Sequence, residues 1–508
     1  MKKQLKAGVV LSYAQIAISI VVGLVYIPIM INMLGDEEYG LYSTVTATIS
    51  MLTILSLGFN SSYIRYYAKY KKSNDTESIY KLNGLFLIIF LIIGAIGFIC
   101  GIFLTYNLGL VFDQGLTASQ YETAKVLMLL LTINLTVSFP MSVFQSIISA
   151  HERFVFLKLF GMTKTILSPV VSIIALYMGY KSVAIVSITL AISIGTDILY
   201  FLYVVYRLKN KFIFRGFEKG IFKDLFAYTA FIAINLIVDQ INWAIDKPIL
   251  VRFKGPAVAG IYSIGFSLYN YYMMFSNATS GLFAPKVHRI ANENKENVAE
   301  QKRMFSDLFT RVGRIQFLIL SLLATGFVFF GKAFVRFWID DGYDNGYYVA
   351  MILILSATIP LIQNVGIEIQ RALNKHQFRS IVYLIMACIN VVLTIFAVQK
   401  YGEIGAAAST AVSLVVANGL IMNIYYHKKC NINILCFWKN ILRQSVGLII
   451  PVAFGVVIML FVEISSIWAL ILWIGAYSVV YCASMFFLGM NKYERGLILN
   501  PLRKVLGR

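Results

Sequence analysis

The sequence predicts an all-α integral membrane protein of fourteen transmembrane helices, built as two parallel six-helix lobes with two extra helices at the C-terminus. Three observations carry that prediction. Hydrophobic residues make up 59% of the 508 and charged ones only 13%, with a mean hydropathy of +0.76, which is more apolar side chain than a water-soluble chain can hide. Apolar segments of about 20 residues, the length that crosses a hydrocarbon core, recur along the whole chain. One turn sequence occurs twice, 220 residues apart.

Taken in order, the candidate spans lie at roughly 9–33, 41–62, 83–106, 123–148, 160–179, 183–206, 225–251, 258–282, 312–330, 347–370, 381–398, 404–426, 444–462 and 467–488. The basic start, MKKQLKAGVV, runs straight into a long apolar stretch without a small-residue cleavage site, so it reads as a retained first span and not a removed signal. If both termini are cytoplasmic, 36 of the 44 lysines and arginines fall in the inner segments, as positive-inside topology requires. That distribution explains the net charge of +20 without a nucleic-acid partner. The stretch 284–311 is polar and mixed in charge, a helical connector near the inner surface. The basic 207–224 loop favours anionic inner-leaflet lipid. Outer loops are too short to be domains. The five cysteines form no disulfide framework, the four histidines no visible site, and no phosphate-binding loop or metal-ligand cluster is present.

The repeated turn joins the end of one apolar segment to the start of the next. Pro28, Gly35 and Gly40-Leu41-Tyr42-Ser43 correspond to Pro248, Gly255 and Gly260-Ile261-Tyr262-Ser263. A second repeat, at offset 222, aligns Ala150-His151-Glu152-Arg153-Phe154 with Ala372-Leu373-Asn374-Lys375-His376 and continues to Phe156 and Phe378. A period this long is a duplicated half-protein. Six spans match six, and an even number preserves orientation, so the halves are parallel repeats about an axis along the membrane normal. The resulting division is 1–210 for the N-terminal lobe, 211–224 for a cytoplasmic linker, 225–430 for the C-terminal lobe, and 431–508 for helices thirteen and fourteen with a cytoplasmic tail.

Polar residues inside the spans are the candidate functional groups, because an unpaired charge at mid-bilayer costs about 2.5–3.5 kcal/mol on insertion scales. Asn235, Asp239, Asn242 and Asp246 recur at steps of four, three and four on span seven, one edge of a helix. Ser356, Pro360, Asn364 and Glu368 recur at steps of four on span ten, with Arg371 at its inner end. Span one carries Ser12, Gln15, Ser19 and Tyr26; span four carries Asn134, Ser138, Ser142 and Ser146, with Gln145 alongside. Such stripes face either a hydrated path or neighbouring helices that they hydrogen-bond. Asp197 reads as a buried partner or rim residue, Arg65 as an interfacial arginine at the end of span two, and Lys247 as able to snorkel to the outer surface.

The opening basic helix, LGDEEYGLYS (34–43), SSYIRYYAKY (61–70), AHERF (150–154), Asp246-Lys247-Pro248 and GPAVAGIYS (255–263) together resemble the Wzx-type polysaccharide flippases of the multidrug/oligosaccharidyl-lipid/polysaccharide exporter superfamily. The resemblance covers the whole chain. It implies a MATE-like pair of lobes around a central cavity, working by alternating access in the bacterial cytoplasmic membrane. The implied cargo is an undecaprenyl-diphosphate-linked oligosaccharide, moved from the inner to the outer leaflet for capsule or O-antigen synthesis. Polymerase and glycosyltransferases are the implied protein partners, and no catalysis or cofactor is expected. Arg65, Lys247 and Arg371 are then the candidates to meet the diphosphate, since guanidinium and ammonium groups suit phosphate. Gln15, Asn134, Gln145, Asn235, Asn242 and Asn364 are candidates for sugar hydroxyls, and Asp239, Asp246 and Glu368 for a coupling H+ or Na+.

The acidic stripes on spans seven and ten also suit an organic-cation exporter of the same superfamily. The outer carboxylates Asp36-Glu37-Glu38 and Asp340-Asp341 invite a membrane glycosyltransferase or polymerase, but those loops are too short for a sugar-and-metal site. A non-transporting assembly scaffold is the third alternative.

Overall fold

The computed structural model describes the chain apart from residues 1, 57, 111, 113–115, 218, 219, 221–224, 226–228, 230–232, 234–236, 239, 242, 243, 281, 282, 294–296, 374 and 506–508. All regular structure in the described residues is helical. The N-terminal part comprises α1 (Lys2–Leu34), α2 (Asp36–Met51), α3 (Phe59–Lys72), α4 (Thr76–Tyr106), α5 (Ala118–Ala150), α6 (Phe154–Tyr177) and α7 (Ser182–Leu202). After the linker come α8 (Asp246–Lys254), α9 (Pro256–Ser280), α10 (Ala284–Glu293), α11 (Val298–Trp338), α12 (Asp344–Leu361), α13 (Val365–Ala372), α14 (Gln377–Leu414) and α15 (Met422–Lys428). The chain ends with α16 (Ile434–Ser445), α17 (Ile449–Phe461), α18 (Ile467–Ser484) and α19 (Lys492–Val505).

Ten of these stretches are long and apolar enough to cross a membrane, which makes this a multi-pass membrane protein. Exposed side chains such as Ile99, Phe396 and Phe461 have hydrocarbon, not water, as their surroundings. One of the ten stretches, Gln377–Lys428, is two helices. Gly402 sits inside α14 at φ +57°, ψ −135°, a left-handed conformation no helix interior contains. A Cβ on Gly405 would lie 2.4 Å from the carbonyl oxygen of Ala397, a distance that eight residues of continuous helix, about 12 Å, forbid. The chain therefore reverses at Gly402, between the predicted spans eleven and twelve. The predicted second span is likewise interrupted, by a 3-10 segment at Leu52–Ser56 and by Gly58 in the left-handed region. Twelve of the 27 residues of the predicted seventh span (225–251) lie outside the described residues.

Both duplications reappear as helix boundaries. α1 ends at Leu34 and α8 at Lys254, while α2 begins at Asp36 and α9 at Pro256, each pair 220 apart. Gly35 (φ +80°) and Gly255 (φ +88°) adopt the same left-handed turn between them. α5 and α13 end at Ala150 and Ala372, the alanines of the second repeat.

The described chain divides into two compact units. The first is residues 1–263 with 391–406, and the second is residues 264–390 with 407–508. In the first, α3, α4 and α5 meet in an aromatic core of Phe59, Tyr63, Phe86, Phe90 and Phe144, with Phe86 edge-on to both Phe59 and Tyr63. In the second, α11 is 41 residues long, about 62 Å at 1.5 Å per residue, so it projects well beyond a 30 Å hydrocarbon layer. Its polar N-terminal turns, with α10, form the predicted helical connector.

Arg314, which the sequence places at the inner end of a span, is instead a buried staple in this unit. Its guanidinium is 5% exposed and pairs with Glu494, itself 2% exposed, at 2.6 Å. It also donates to the carbonyls of Asn440 and Gly489. Glu494 is held from its own side by a reciprocal cap on α19: it accepts from the Asn491 N–H, and its own N–H donates to Asn491 Oδ1. The appended helices are thereby tied to the repeat they follow.

Candidate functional site at the repeat junction

The two copies of the turn pack directly against each other, within the first unit. A Cβ on Gly40 would lie 1.8 Å from the carbonyl oxygen of Pro256, and one on Gly260 would lie 3.1 Å from that of Asp36 and 3.4 Å from the Gly40 Cα. At position 40 only glycine permits this approach. One turn further along, Ser43 and Ser263 meet with their hydroxyl oxygens 2.6 Å apart, both buried. Residues related by the 220 offset touch their own counterparts, so the local pseudo-two-fold axis passes between them.

The junction's hydrogens can be followed one by one. Ser263 gives its only hydroxyl hydrogen to the Ala259 carbonyl at 2.7 Å, so Ser43 must be the donor between the two serines. Ser43 in turn accepts from the Lys247 ammonium at 2.9 Å. The result is a polarised chain running Lys247, Ser43, Ser263, Ala259. Lys247 therefore reaches across to the first repeat and does not snorkel outward.

Beside it, the copies differ in charge. Asp246 is 3% exposed; its carboxylate accepts from the Tyr262 hydroxyl at 2.6 Å and, more weakly, from Thr394 at 3.4 Å. Subtracting 220, 220 and 222 gives Tyr26, Tyr42 and Ser172, and these three are neighbours as well. The same three positions thus form a cluster in each half, and a carboxylate replaces a phenol only in the second. Sequence reasoning named Asp246 but took Tyr262 only as a residue of the repeated turn and missed Thr394, whose counterpart Ser172 is brought beside Tyr26 only by packing.

The other candidates are distributed as follows. Gln15 accepts from Lys158 at 3.3 Å, and Gln145 donates to the buried Asp197 at 3.5 Å. The Asn134 side-chain oxygen is buried without a partner among the described residues. Arg65 is exposed. In the second unit Asn364 donates to Ser276 at 3.0 Å and to Asn277 at 3.3 Å, while Arg371 and Glu368 form an ion pair at 2.7 Å. Asn235, Asp239 and Asn242 lie outside the described residues. Part of the span-four stripe is spent on helix packing, since Ser146 donates to Asn60 of α3 at 3.0 Å and Ser142 to the Phe139 carbonyl of its own helix at 2.7 Å.

A second polar cluster ties the start of the linker to α3, α4 and the C-terminal end of α5. Asn83, fully buried, accepts from Tyr63 at 2.7 Å and donates to Asn210 at 3.4 Å and to the Lys211 carbonyl at 3.0 Å. A Cβ on Gly84 would lie 2.1 Å from the Ile213 carbonyl oxygen. His151, of the AHERF segment, gives its Nδ1 hydrogen to the Ile147 carbonyl at 2.9 Å. Its Nε2 is left to accept from Tyr67 at 3.2 Å and Asn210 at 3.5 Å. Burial, with Lys71 and Arg153 nearby, lowers the His151 pKa below the ordinary imidazole value.

The chain is thus a duplicated, helical, multi-pass membrane protein whose repeated turns interlock through paired glycines and serines. Residues 5–285 match the family model described as polysaccharide biosynthesis protein, and the chain belongs to that family. It is 21% identical over 406 residues, covering 78% of this chain and 92% of the relative, to a Shigella flexneri protein named "Putative O-antigen transporter". Among solved structures it is similar to lipid II flippase MurJ in an inward closed conformation, with a TM-score of 0.66 and 18% identity, over 97% of this chain and 99% of that one. It is also similar to the MATE multidrug transporter DinF-BH (TM-score 0.58, 16% identity, 85% of this chain and 96% of that one). These likenesses establish the fold.

Proposed function

We propose that this protein moves a lipid-linked oligosaccharide, carried on a polyprenyl diphosphate, from the inner to the outer leaflet of the bacterial cytoplasmic membrane, for surface polysaccharide synthesis. The observation that carries the reading is the repeat junction. In an alternating-access transporter the two halves must part at one membrane face while meeting at the other, and residues related by the duplication are here in contact at the turns assigned to the outer face. We take this junction as the closed outer gate. The family match, the Shigella flexneri relative and the flippase neighbour support a glycan-lipid cargo. Fourteen spans, with the two helices meeting at Gly402 counted separately and both termini cytoplasmic, complete the reading.

Within it, Arg65, Lys247 and Arg371 meet the diphosphate at successive stages, Arg371 after release from Glu368. Asp246 is the coupling group, taking H+ or Na+ in place of its Tyr262 and Thr394 hydrogen bonds. Asp239 and Glu368 remain candidates for the same role.

Paired cysteines test the gate. Ser43→Cys with Ser263→Cys, in a background lacking the five native cysteines, is expected to form a disulfide on oxidation, since the side-chain oxygens are 2.6 Å apart and disulfides need Cβ atoms within about 3.5–4.5 Å. Oxidation should then stop flipping and reductant restore it. Full transport with the cross-link in place would exclude the junction as a gate. Efflux of fluorescent organic cations, unaffected by loss of lipid-linked glycan, would favour the cation-exporter alternative suggested by the acidic spans.

A further inference from the structure

Away from the repeat junction, the second unit contains a cleft of about 970 Å³ between the polar N-terminal turns of α11, the start of α16 and the first turn of α19. Lys302, Arg303, Arg311, Asn433, Asn440 and Tyr493 are on its wall. The floor is the Arg314–Glu494 staple, whose charges are already matched. Glu300 and Asp307 also reach the cleft, but Asp307 is neutralised by Arg311 at 2.8 Å. Lys302 and Arg303 are exposed, and neither has a charged partner among the described residues. Arg311 lies over the Tyr493 ring at 5.2 Å, which braces its guanidinium at the mouth.

The face of α16 turned away from the cleft identifies the ligand's other end. On α16, Asn433 and Asn440 are seven residues apart on the cleft side, while Leu435 (75% exposed) and Leu442 (68% exposed) are seven apart on the outer side. Leu497 of α19 is 48% exposed nearby in sequence to the cleft-lining Tyr493. Leucines this bare on helices bordering the membrane face acyl chains. A site with cations and amides inside, walled by a helix whose opposite face carries bare leucines, matches an amphiphile with a phosphate head.

We infer that this cleft is a binding site for the phosphate headgroup of an anionic phospholipid of the surrounding leaflet, held by Lys302 and Arg303, with the acyl chains leaving around α16. The chemistry is that of basic clefts between membrane helices on the cytoplasmic side. Its sidedness rests on the topology proposed above; its residues are separate from the gate. Occupancy would link the appended helices to the second repeat through lipid as well as through Arg314.

The test is thermal unfolding of the whole detergent-purified protein titrated with phosphatidylglycerol, phosphatidylcholine or inorganic phosphate. Phosphatidylglycerol should stabilise the wild type at low ratios and phosphatidylcholine should not. Lys302→Glu with Arg303→Glu, both on exposed positions, should weaken that response by roughly tenfold or more. Lys71→Glu with Lys72→Glu, outside the cleft, should leave it intact. Equal stabilisation by inorganic phosphate, equal loss in the two double variants, or no preference for the anionic lipid would each overturn the assignment. Because no transport is read, a failed flipping assay leaves this result standing, and a null result here leaves the flippase reading standing.

Discussion

Gly40→Ala adds one methyl at the tightest point of the repeat junction. The new carbon would lie 1.8 Å from the Pro256 carbonyl oxygen and 2.5 Å from its carbon, where ordinary contact needs about 3.3 Å or more. Both obstructing atoms are backbone, so no rotamer change relieves them; α2 and α9 must separate by about 1.5 Å. Overpacking of this kind costs about 1–3 kcal/mol, one to two powers of ten in the population of the closed junction. Gly260→Ala is the internal control. Its methyl would meet Asp36 and Gly40 at 3.1–3.5 Å, which a few tenths of an ångström accommodate. The assay is labelling of Ser43→Cys by a membrane-impermeant thiol reagent from outside, with thermal unfolding in parallel. Gly40→Ala should raise the labelling rate, lower Tm, or do both; Gly260→Ala should do much less. If Gly40→Ala matched wild type in both measurements, the close approach of the repeats, and the gate built on it, would be refuted.

Three further outcomes are expected. Arg314→Met or Glu494→Leu alone leaves a buried, unmatched charge and should destabilise the protein by about 3–5 kcal/mol, whereas the double variant should recover much of that loss; chemical unfolding in detergent measures both. His151 binds its proton less readily folded than unfolded, so its contribution to stability is complete above the unfolded value near 6.5 and is lost as pH falls through the lower folded pKa. Unfolding midpoints of wild type should drop over that window, and those of His151→Gln should drop less, because protonated Nε2 can no longer accept from Asn210. Asp246→Asn should preserve expression and fold while abolishing the dependence of flipping on the coupling ion; retained ion dependence would move that role to another carboxylate.

Much of this was legible before any coordinates. Composition and segment length demanded membrane helices, because no other arrangement hides so many apolar residues. The two offsets announced the duplication, and helix ends at Leu34 and Lys254, and at Ala150 and Ala372, follow them. Periodicity marked Asp246 and Glu368 as residues lipid would not tolerate. It could not say that Glu368 would be paired with Arg371, nor that Ser146 would spend its hydroxyl on Asn60 and Ser142 on the Phe139 carbonyl. A polar stripe looks the same whether it faces water or a neighbouring helix. Arg314 was hidden for a related reason: a cation near a span's inner end is usually interfacial, and its partner Glu494 is 180 residues away.

Local physics, which depends on neighbours along the chain, therefore settled the class of the protein, its repeats and the residues too polar for lipid. What packing alone decided was which of those residues meet: that Gly40 seats against Pro256, that Ser43 finds Ser263, that Lys247 crosses to the other repeat, and that Asp246 is wrapped by Tyr262 and Thr394. Such contacts arise when helices distant in sequence exclude lipid between them, and their energy depends on distances of tenths of an ångström that no spacing of letters encodes.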